Sequence, residues 1–106
     1  VGMYKEYKKG VVGNGEKSIL FFHAGWCPEC QNKDANLRKW YGSAEVPLPT
    51  YKVDFDTEKD LKKKYGIGMQ DTFVLIDGKG DVMKIEPQPS VSALKRLVYG
   101  NVNSAK

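Results

Sequence analysis

Apolar residues occur along the chain in short runs, alternations and helical spacings that together predict a mixture of strands and helices. One of the two longest runs, residues 19–22, lies in a β-rich segment, 18–23, whose almost continuous apolar character is typical of a strand buried on both faces. After a turn, Cys30, Leu37 and Tyr41 recur at helical spacing, which predicts a helix. Further strands are predicted at 51–55, 72–76 and 82–85, and further helices at 58–65 and 91–99.

The ends of these elements are predicted by residues with strong local preferences. Pro28 suits the first turn of a helix, where its missing N–H costs no hydrogen bond. Thr57 with Asp60 resembles an N-terminal capping pair, and the sequence Asp-Gly-Lys-Gly at 77–80 indicates a hairpin turn. Ser90 is predicted to cap the last helix. The three helices are predicted to end at Gly42, Gly66 and Gly100.

The predicted order is strand, helix, strand, helix, strand, strand, helix, over one domain of 106 residues. The early βαβ unit should be parallel with a right-handed crossover, and the late hairpin must be antiparallel. We therefore expect an α/β fold with a mixed central sheet flanked by helices on both faces. Residues 1–17, rich in glycine, are expected to be irregular, and residues 101–106 to form a frayed tail.

Composition and charge exclude several classes of protein. The apolar fraction of 41% and the charged fraction of 28% are ordinary for a globular domain. The net charge of +4 does not indicate nucleic-acid binding, because the basic residues are mixed with acids and the run at 62–64 lies on a solvated helix face. The sequence contains neither an apolar run long enough to span a membrane nor a signal peptide. Because it begins at Val1, upstream sequence is expected to have been removed.

The segment Trp26-Cys27-Pro28-Glu29-Cys30 stands where a predicted strand gives way to a helix. Cysteines three apart in a first helical turn can bring their sulfurs within disulfide reach. Free N–H groups and the positive end of the helix dipole favour the thiolate form of the first cysteine. Cys27 is therefore the predicted nucleophile. Cys30, one turn further in, is expected to be less exposed and to resolve the mixed disulfide.

Other interpretations of the cysteine pair have less support. A zinc site needs further ligands, but the chain has no third cysteine and its one histidine is His23, so we predict no metal site. A structural disulfide, or a cysteine pair on a domain used only for binding, stays open.

The stretch 10–18 narrowly misses a phosphate-binding loop, because Glu16 interrupts the pattern and a strand follows. Nucleotide binding is therefore rejected.

Residues 21–30 resemble the active-site segment of the thioredoxin family, and residues 53–56, 64–67 and 72–78 extend the likeness. With the amphipathic C-terminal helix, the resemblance covers roughly residues 18–100. It implies a thioredoxin-like fold and disulfide exchange with protein substrates, without any cofactor beyond the Cys27–Cys30 pair. The groove around the cysteines would be framed by Trp26, Pro28, Gln70, Asp71 and Thr72.

Three departures from the family pattern concern the chemistry of the site. Asp71 occupies the position of the family's cis-proline; since a cis bond before a non-proline residue costs about 2.5–4 kcal/mol, we expect a trans bond. Phe21 occupies the position of the family's buried acid, and Lys52 matches the lysine that partners it. Proton transfer would then fall to Glu29, His23, Asp71 or water. The short N-terminal part leaves little room for the usual leading strand and helix.

The direction of the reaction is predicted from Glu29, which lies between the cysteines. Its negative charge disfavours the Cys27 thiolate, which stabilises the disulfide and favours a reducing couple. His23 is expected to be packed in the core or to tune the site.

The expected partners are protein thiols and disulfides and an upstream redox protein, and the domain is expected to be a monomer. An extracytoplasmic location in the periplasm or cell envelope is favoured, with a cytoplasmic one left open. The alternatives are an extracytoplasmic disulfide-forming or isomerising folding catalyst and a non-catalytic binding or metal-carrier module.

Overall fold

The computed structural model describes residues 2–101, which form five strands and three helices. The strands are β1 (Tyr4–Glu6), β2 (Ser18–His23), β3 (Thr50–Asp54), β4 (Thr72–Ile76) and β5 (Val82–Pro87). The helices are α1 (Pro28–Ser43), α2 (Lys59–Tyr65) and α3 (Val91–Tyr99). Both buried strands, β2 and β4, have the bounds that their apolar runs predict, whereas β3 begins one residue earlier and β5 extends two residues further than predicted.

The strands form one mixed sheet in the order β1-β3-β2-β4-β5. β3 runs parallel to both β1 and β2, and β4 is antiparallel to β2 and β5. The parallel β2–α1–β3 unit and the antiparallel hairpin agree with the prediction. In the hairpin turn, the Asp77 side chain accepts hydrogen bonds from the N–H groups of Lys79 and Asp81, at 2.9 and 3.0 Å.

Helices cover both faces of this sheet, so that alternate residues of β2 enter two separate cores. Ile19 and Phe21 pack with Leu37 of α1 and with the apolar face of α3. Leu20 and Phe22 face the opposite side, which α2 covers. Because both faces of β2 and β4 are buried, the period-two alternation is lost and each strand is a continuous apolar run. The predicted α/β architecture is confirmed.

Two predicted helix ends are wrong. Gly42 lies inside α1, which continues to Ser43 because the Ser43 hydroxyl donates to the Lys39 carbonyl at 2.9 Å and the Ala44 N–H donates to the Trp40 carbonyl at 3.1 Å. Thr57 does not cap α2. It lies in the turn that follows β3, and Glu58 precedes the helix without a side-chain capping bond. By contrast, Gly66 and Gly100 follow α2 and α3 as predicted, and the Ser90 hydroxyl accepts the Ala93 N–H at 3.0 Å.

The prediction that the N-terminal segment is irregular is wrong in part. The segment contains the three-residue strand β1 at the edge of the sheet. The residues between β1 and β2 form turns and bends, with no helix among them. Gly15 adopts a φ of 94° and donates its N–H to the Gly78 carbonyl at 2.9 Å, which ties this glycine-rich loop to the β4–β5 hairpin. Apart from Asn101, the predicted frayed tail lies outside the described residues.

Candidate active site

Cys27 is the N-cap residue of α1, immediately after the turn that follows β2. Its backbone is extended, and its Sγ accepts the Cys30 N–H at 3.1 Å. This hydrogen bond satisfies one of the free amides at the start of the helix and places the sulfur at the positive end of the helix dipole. Pro28 follows in the first turn, as predicted. The local sequence therefore places a cysteine sulfur where a negative charge is stabilised.

Cys30 lies in the first turn of α1, and both cysteines are free thiols. Cys27 is 3% exposed and Cys30 is fully buried, so the difference in exposure has the predicted direction but is small. Burial raises the pKa of Cys30 above its ordinary value. A backbone hydrogen bond from Ala24 opposes this shift, and a hydrogen bond to Cys27 and the charge of Asp71 add to it. Cys30 therefore holds its proton more firmly than a free cysteine.

The surface beside Cys27 consists of Trp26, Pro28 and Glu29, all exposed, with Trp26 60% exposed. The Trp26 Nε1–H donates to the Asp56 carboxylate at 3.0 Å, which holds the indole over the turn after β3. The sequence does not indicate this contact, because the two residues are 30 positions apart. An exposed aromatic side chain fixed beside the first cysteine provides an apolar surface on which another chain can pack.

The loop that precedes β4 differs from the prediction at Asp71. The Asp71 side chain is buried, 1% exposed, so it does not line a surface groove, whereas Thr72, also largely buried, borders a shallow pocket together with Met69. The Thr72 hydroxyl donates to the Met69 carbonyl at 2.8 Å. Gln70 is half-buried and Met69 is exposed, so the surface of this loop is formed by residues 69–70.

Asp71, at the position where the family resemblance implies a cis-proline, has an unusual backbone conformation. No peptide bond among the described residues is cis, so the Gln70–Asp71 bond is trans, as expected. The φ of Asp71 is 58°, a left-handed conformation that aspartate adopts more readily than most residues. Its N–H donates to the Phe22 carbonyl at 2.8 Å, and its carbonyl accepts the Gln88 N–H at 2.7 Å. These two bonds attach the loop to the end of β2 and to the segment after β5.

Lys33 is a site residue that the motifs of the sequence do not single out. Its Nζ lies 3.1 Å from Oδ2 of Asp71, and both side chains are buried. Lys33 lies three residues after Cys30 and four before Leu37, so helical spacing places it on the buried face of α1. That spacing is the signal available in the sequence. The need for a buried partner is not visible there, because Asp71 is 38 residues away.

Lys52 and His23, the predicted tuning residues, lie on the β3 side of the site. Lys52 is paired in register with Phe21, which stacks on Phe73 with ring centroids 4.3 Å apart. The amine instead contacts Asp34 of α1 and Glu6 of β1, at 3.4 and 3.2 Å. His23 packs edge-on against Phe21, and burial followed by the charge of Lys52 lowers its pKa. Neither side chain hydrogen-bonds to a cysteine in the described residues.

Asp34 joins α1 to the N-terminal strand and supports a prediction on stability. Burial alone would raise its pKa, but the Tyr4 hydrogen bond of 2.6 Å and the charges of Lys52 and Arg38 outweigh burial and hold the pKa below its usual value of 3.8. We expect Asp34→Asn to lower the free energy of unfolding by about 1–3 kcal/mol at neutral pH. The measurement is urea unfolding over a range of pH.

The pH dependence of this effect follows from the lowered pKa. A carboxyl group whose pKa is lower in the folded state contributes stability above its unfolded pKa and loses it as the pH falls through the folded value. The difference in free energy of unfolding between wild type and Asp34→Asn should therefore shrink as the pH falls below 3.8. A difference that stays constant with pH would contradict the electrostatic origin. Glu45→Gln, an exposed change beyond the end of α1, serves as the control.

Metal binding and membrane insertion gain no support from residues 2–101. That part of the chain contains no group of three or more histidine, cysteine, aspartate or glutamate side chains placed to hold a metal ion. None of its helices is long and apolar enough to cross a membrane.

A parallel β2–α1–β3 unit with a Cys-x-x-Cys pair at the start of its helix, followed by an antiparallel hairpin and a last helix, defines a thioredoxin-fold protein. The thioredoxin family model matches residues 2–99, and the chain belongs to the thioredoxin family. It is similar to the thioredoxin of Borreliella burgdorferi, with 29% identity over 93% of this chain and 80% of that protein. It is also similar to protein disulfide-isomerase tigA of Aspergillus niger, with 30% identity over 73% of this chain, although the match spans only 22% of that longer protein.

Solved structures agree on the fold. The thioredoxin of Malassezia sympodialis superposes with a TM-score of 0.78 at 22% identity, covering 96% of this chain and 95% of that one. A mutant thioredoxin from Halobacterium salinarum gives a TM-score of 0.77 at 21% identity, covering 96% of this chain and 91% of that one. The predicted thioredoxin fold is confirmed, and the family to which the chain belongs is one of thiol-disulfide oxidoreductases.

Proposed function

We propose that this domain reduces disulfides in other proteins through Cys27 and Cys30. The observation that carries the proposal is the Cys27 sulfur at the N-terminus of α1, accepting the Cys30 N–H, with the second thiol buried behind it. Cys27 attacks a substrate disulfide to form a mixed disulfide. Cys30 then attacks Cys27, forms the intramolecular disulfide and releases the substrate as a thiolate.

The substrate is proposed to be an extended segment of another protein that packs against Trp26. The indole is exposed and held by Asp56, so little conformational freedom is lost when a peptide packs on it. The exposed Pro28 and Met69 and the half-buried Gln70 are proposed to supply the remaining surface for this segment. The cysteine pair is proposed as the only redox group, and an upstream redox protein is proposed to reduce its disulfide again after each cycle. An extracytoplasmic setting and a monomeric state belong to the same proposal.

A second candidate function is an oxidising or isomerising folding catalyst. The similarity to part of a protein disulfide-isomerase of Aspergillus niger favours it. The two functions differ in the stability of the Cys27–Cys30 disulfide, because a reductant needs a stable disulfide and an oxidant an unstable one.

The reduction potential of the cysteine pair tests the proposal, by equilibration against glutathione and dithiothreitol. We expect a value near roughly −270 mV, whereas a value near roughly −120 mV would support the folding oxidant. Failure to equilibrate would point to a structural disulfide or a binding module. Glu29→Gln should raise the potential by no more than roughly 30 mV, since Glu29 is exposed and its charge is screened. Glu45→Gln should leave it unchanged.

A further inference from the structure

The buried ion pair between Lys33 and Asp71 has no role in the two cysteine steps of the proposed function. The two groups lie 3.1 Å apart, with side chains 10% and 1% exposed. Removing two charges from water is costly, and a pair of apolar residues of similar volume is often at least as stabilising. A buried ion pair beside two thiols is therefore poorly explained by stability alone.

The fold brings this pair to the buried side of Cys30. Lys33 is one helical turn beyond Cys30 on the same face of α1. Asp71 is attached through its N–H to the carbonyl of Phe22, two residues before Ala24, whose backbone hydrogen-bonds to Cys30. The charge of Asp71 also contributes to the raised pKa of the Cys30 thiol, which is consistent with this placement.

Cys30 needs a base to perform its step, because only a thiolate attacks a disulfide. The buried thiol holds its proton firmly, and water reaches it poorly, since Cys30 is fully buried. The position of Phe21, opposite Lys52, carries a phenyl ring and cannot accept a proton. A group on the buried side of Cys30 that can accept a proton would remove this barrier.

On the basis of the proposed function, we propose that Asp71 accepts the Cys30 proton during resolution and that Lys33 positions the Asp71 carboxylate. The proton passes from the Cys30 sulfur to Asp71, and the resulting thiolate attacks the Cys27 sulfur. A bond forms between the two cysteine sulfurs, and the bond between Cys27 and the substrate sulfur breaks with its electron pair on the substrate. The released thiolate takes up a proton, so the substrate is reduced and the cysteine pair is oxidised.

The surroundings of Asp71 suit this role. Burial raises its pKa, Lys33 opposes that shift by hydrogen bond and charge, Glu29 adds to it, and His23 opposes it. Among the described residues, these groups and Cys30 are the titratable groups of α1 and the end of β2 whose charges act on or respond to the carboxylate. A carboxylate made more basic by burial is a better proton acceptor near neutral pH than an exposed one. Resolution should then slow as the pH falls through the pKa of Asp71, because the protonated acid cannot accept a proton.

Stopped-flow reaction with Ellman's reagent separates the two steps. Attack by Cys27 releases one thionitrobenzoate, and resolution by Cys30 releases a second. For Asp71→Asn we expect an unchanged first phase and a second phase slowed roughly 100-fold at neutral pH, within the usual range for general-base catalysis. The second phase of the variant should rise about tenfold per pH unit, as a reaction dependent on hydroxide does. Asp34→Asn, which removes a buried acid of α1 that contacts Lys52, should leave both phases unchanged.

The double variant Lys33→Gln with Asp71→Asn covers the case in which Asp71→Asn leaves a buried unpaired ammonium and fails to fold. It should show the same slow second phase. If either variant folds and its second phase is as fast as that of the wild type, the inference is overturned. An intact first phase in the same experiment would leave the proposed function standing. If neither variant folds, the wild-type protein still tests the inference. A second phase whose rate rises tenfold per pH unit over the whole pH range would overturn it. The absence of a first phase in the wild type would instead contradict the proposed function.

Discussion

Cys27→Ser is expected to abolish catalysed reduction of protein disulfides, lowering the rate roughly 10³-fold or more, as removal of a nucleophile does in other enzymes. A serine hydroxyl at the N-terminus of α1 can accept the Cys30 N–H in place of Cys27 Sγ, so the domain should fold normally. It cannot attack a disulfide. Cys30 cannot substitute for it, because Cys30 is fully buried and its pKa is raised. The measurement is the rate of insulin disulfide reduction with dithiothreitol as electron donor.

Cys30→Ser provides the matched control for the order of the two steps. This variant keeps the attacking sulfur but cannot resolve, so it should accumulate a mixed disulfide with the substrate, detectable by mass spectrometry. The opposite pattern, in which Cys27→Ser traps substrate and Cys30→Ser does not, would reverse the roles of the two cysteines.

Asp71→Pro is expected to destabilise the domain strongly, although the resemblance to the thioredoxin family implies a proline at this position. Proline cannot adopt the φ of 58° found at Asp71, and it lacks the N–H that donates to the Phe22 carbonyl. The substitution also leaves the Lys33 ammonium buried without its partner. Together these changes should lower the free energy of unfolding by roughly 3 kcal/mol or more. Urea unfolding measures it.

Asp71→Asn separates the backbone effect from the loss of charge. Asparagine tolerates the left-handed conformation and keeps the N–H, so it shares with Asp71→Pro only the loss of the carboxylate. We expect Asp71→Pro to be less stable than Asp71→Asn by about 3 kcal/mol. Equal stability of these two variants would mean that the loop changes to a proline-compatible conformation at little cost.

The central strands, the hairpin and the cysteine pair could be predicted because their signals are local. A strand buried on both faces needs a continuous apolar run, and β2 and β4 have the predicted bounds. Ser90 and Gly66 act through hydrogen bonds and backbone conformations within their own helix ends. Cys27 and Cys30 share one helical turn, so their proximity follows from spacing alone.

The local signals failed where a competing contact decided the outcome. Gly42 stays helical because neighbouring groups satisfy the last carbonyls of α1. Thr57 lies in a turn held by the Asp54 side chain, which accepts the Asp56 N–H at 2.9 Å. β1 exists because its backbone pairs with β3, which a three-residue polar segment does not indicate by itself.

The thioredoxin fold, the position of the two thiols at the start of α1 and the tryptophan beside them could be predicted from the sequence alone. Apolar runs, helical spacing and the Cys-x-x-Cys motif are signals contained within single elements or turns. The conformation of Asp71, its burial and its pairing with Lys33 are evident only in the folded domain. The reason is physical: a carboxylate on the loop before β4 and an ammonium on α1 are 38 residues apart. They meet only when β2, β4 and α1 have packed together.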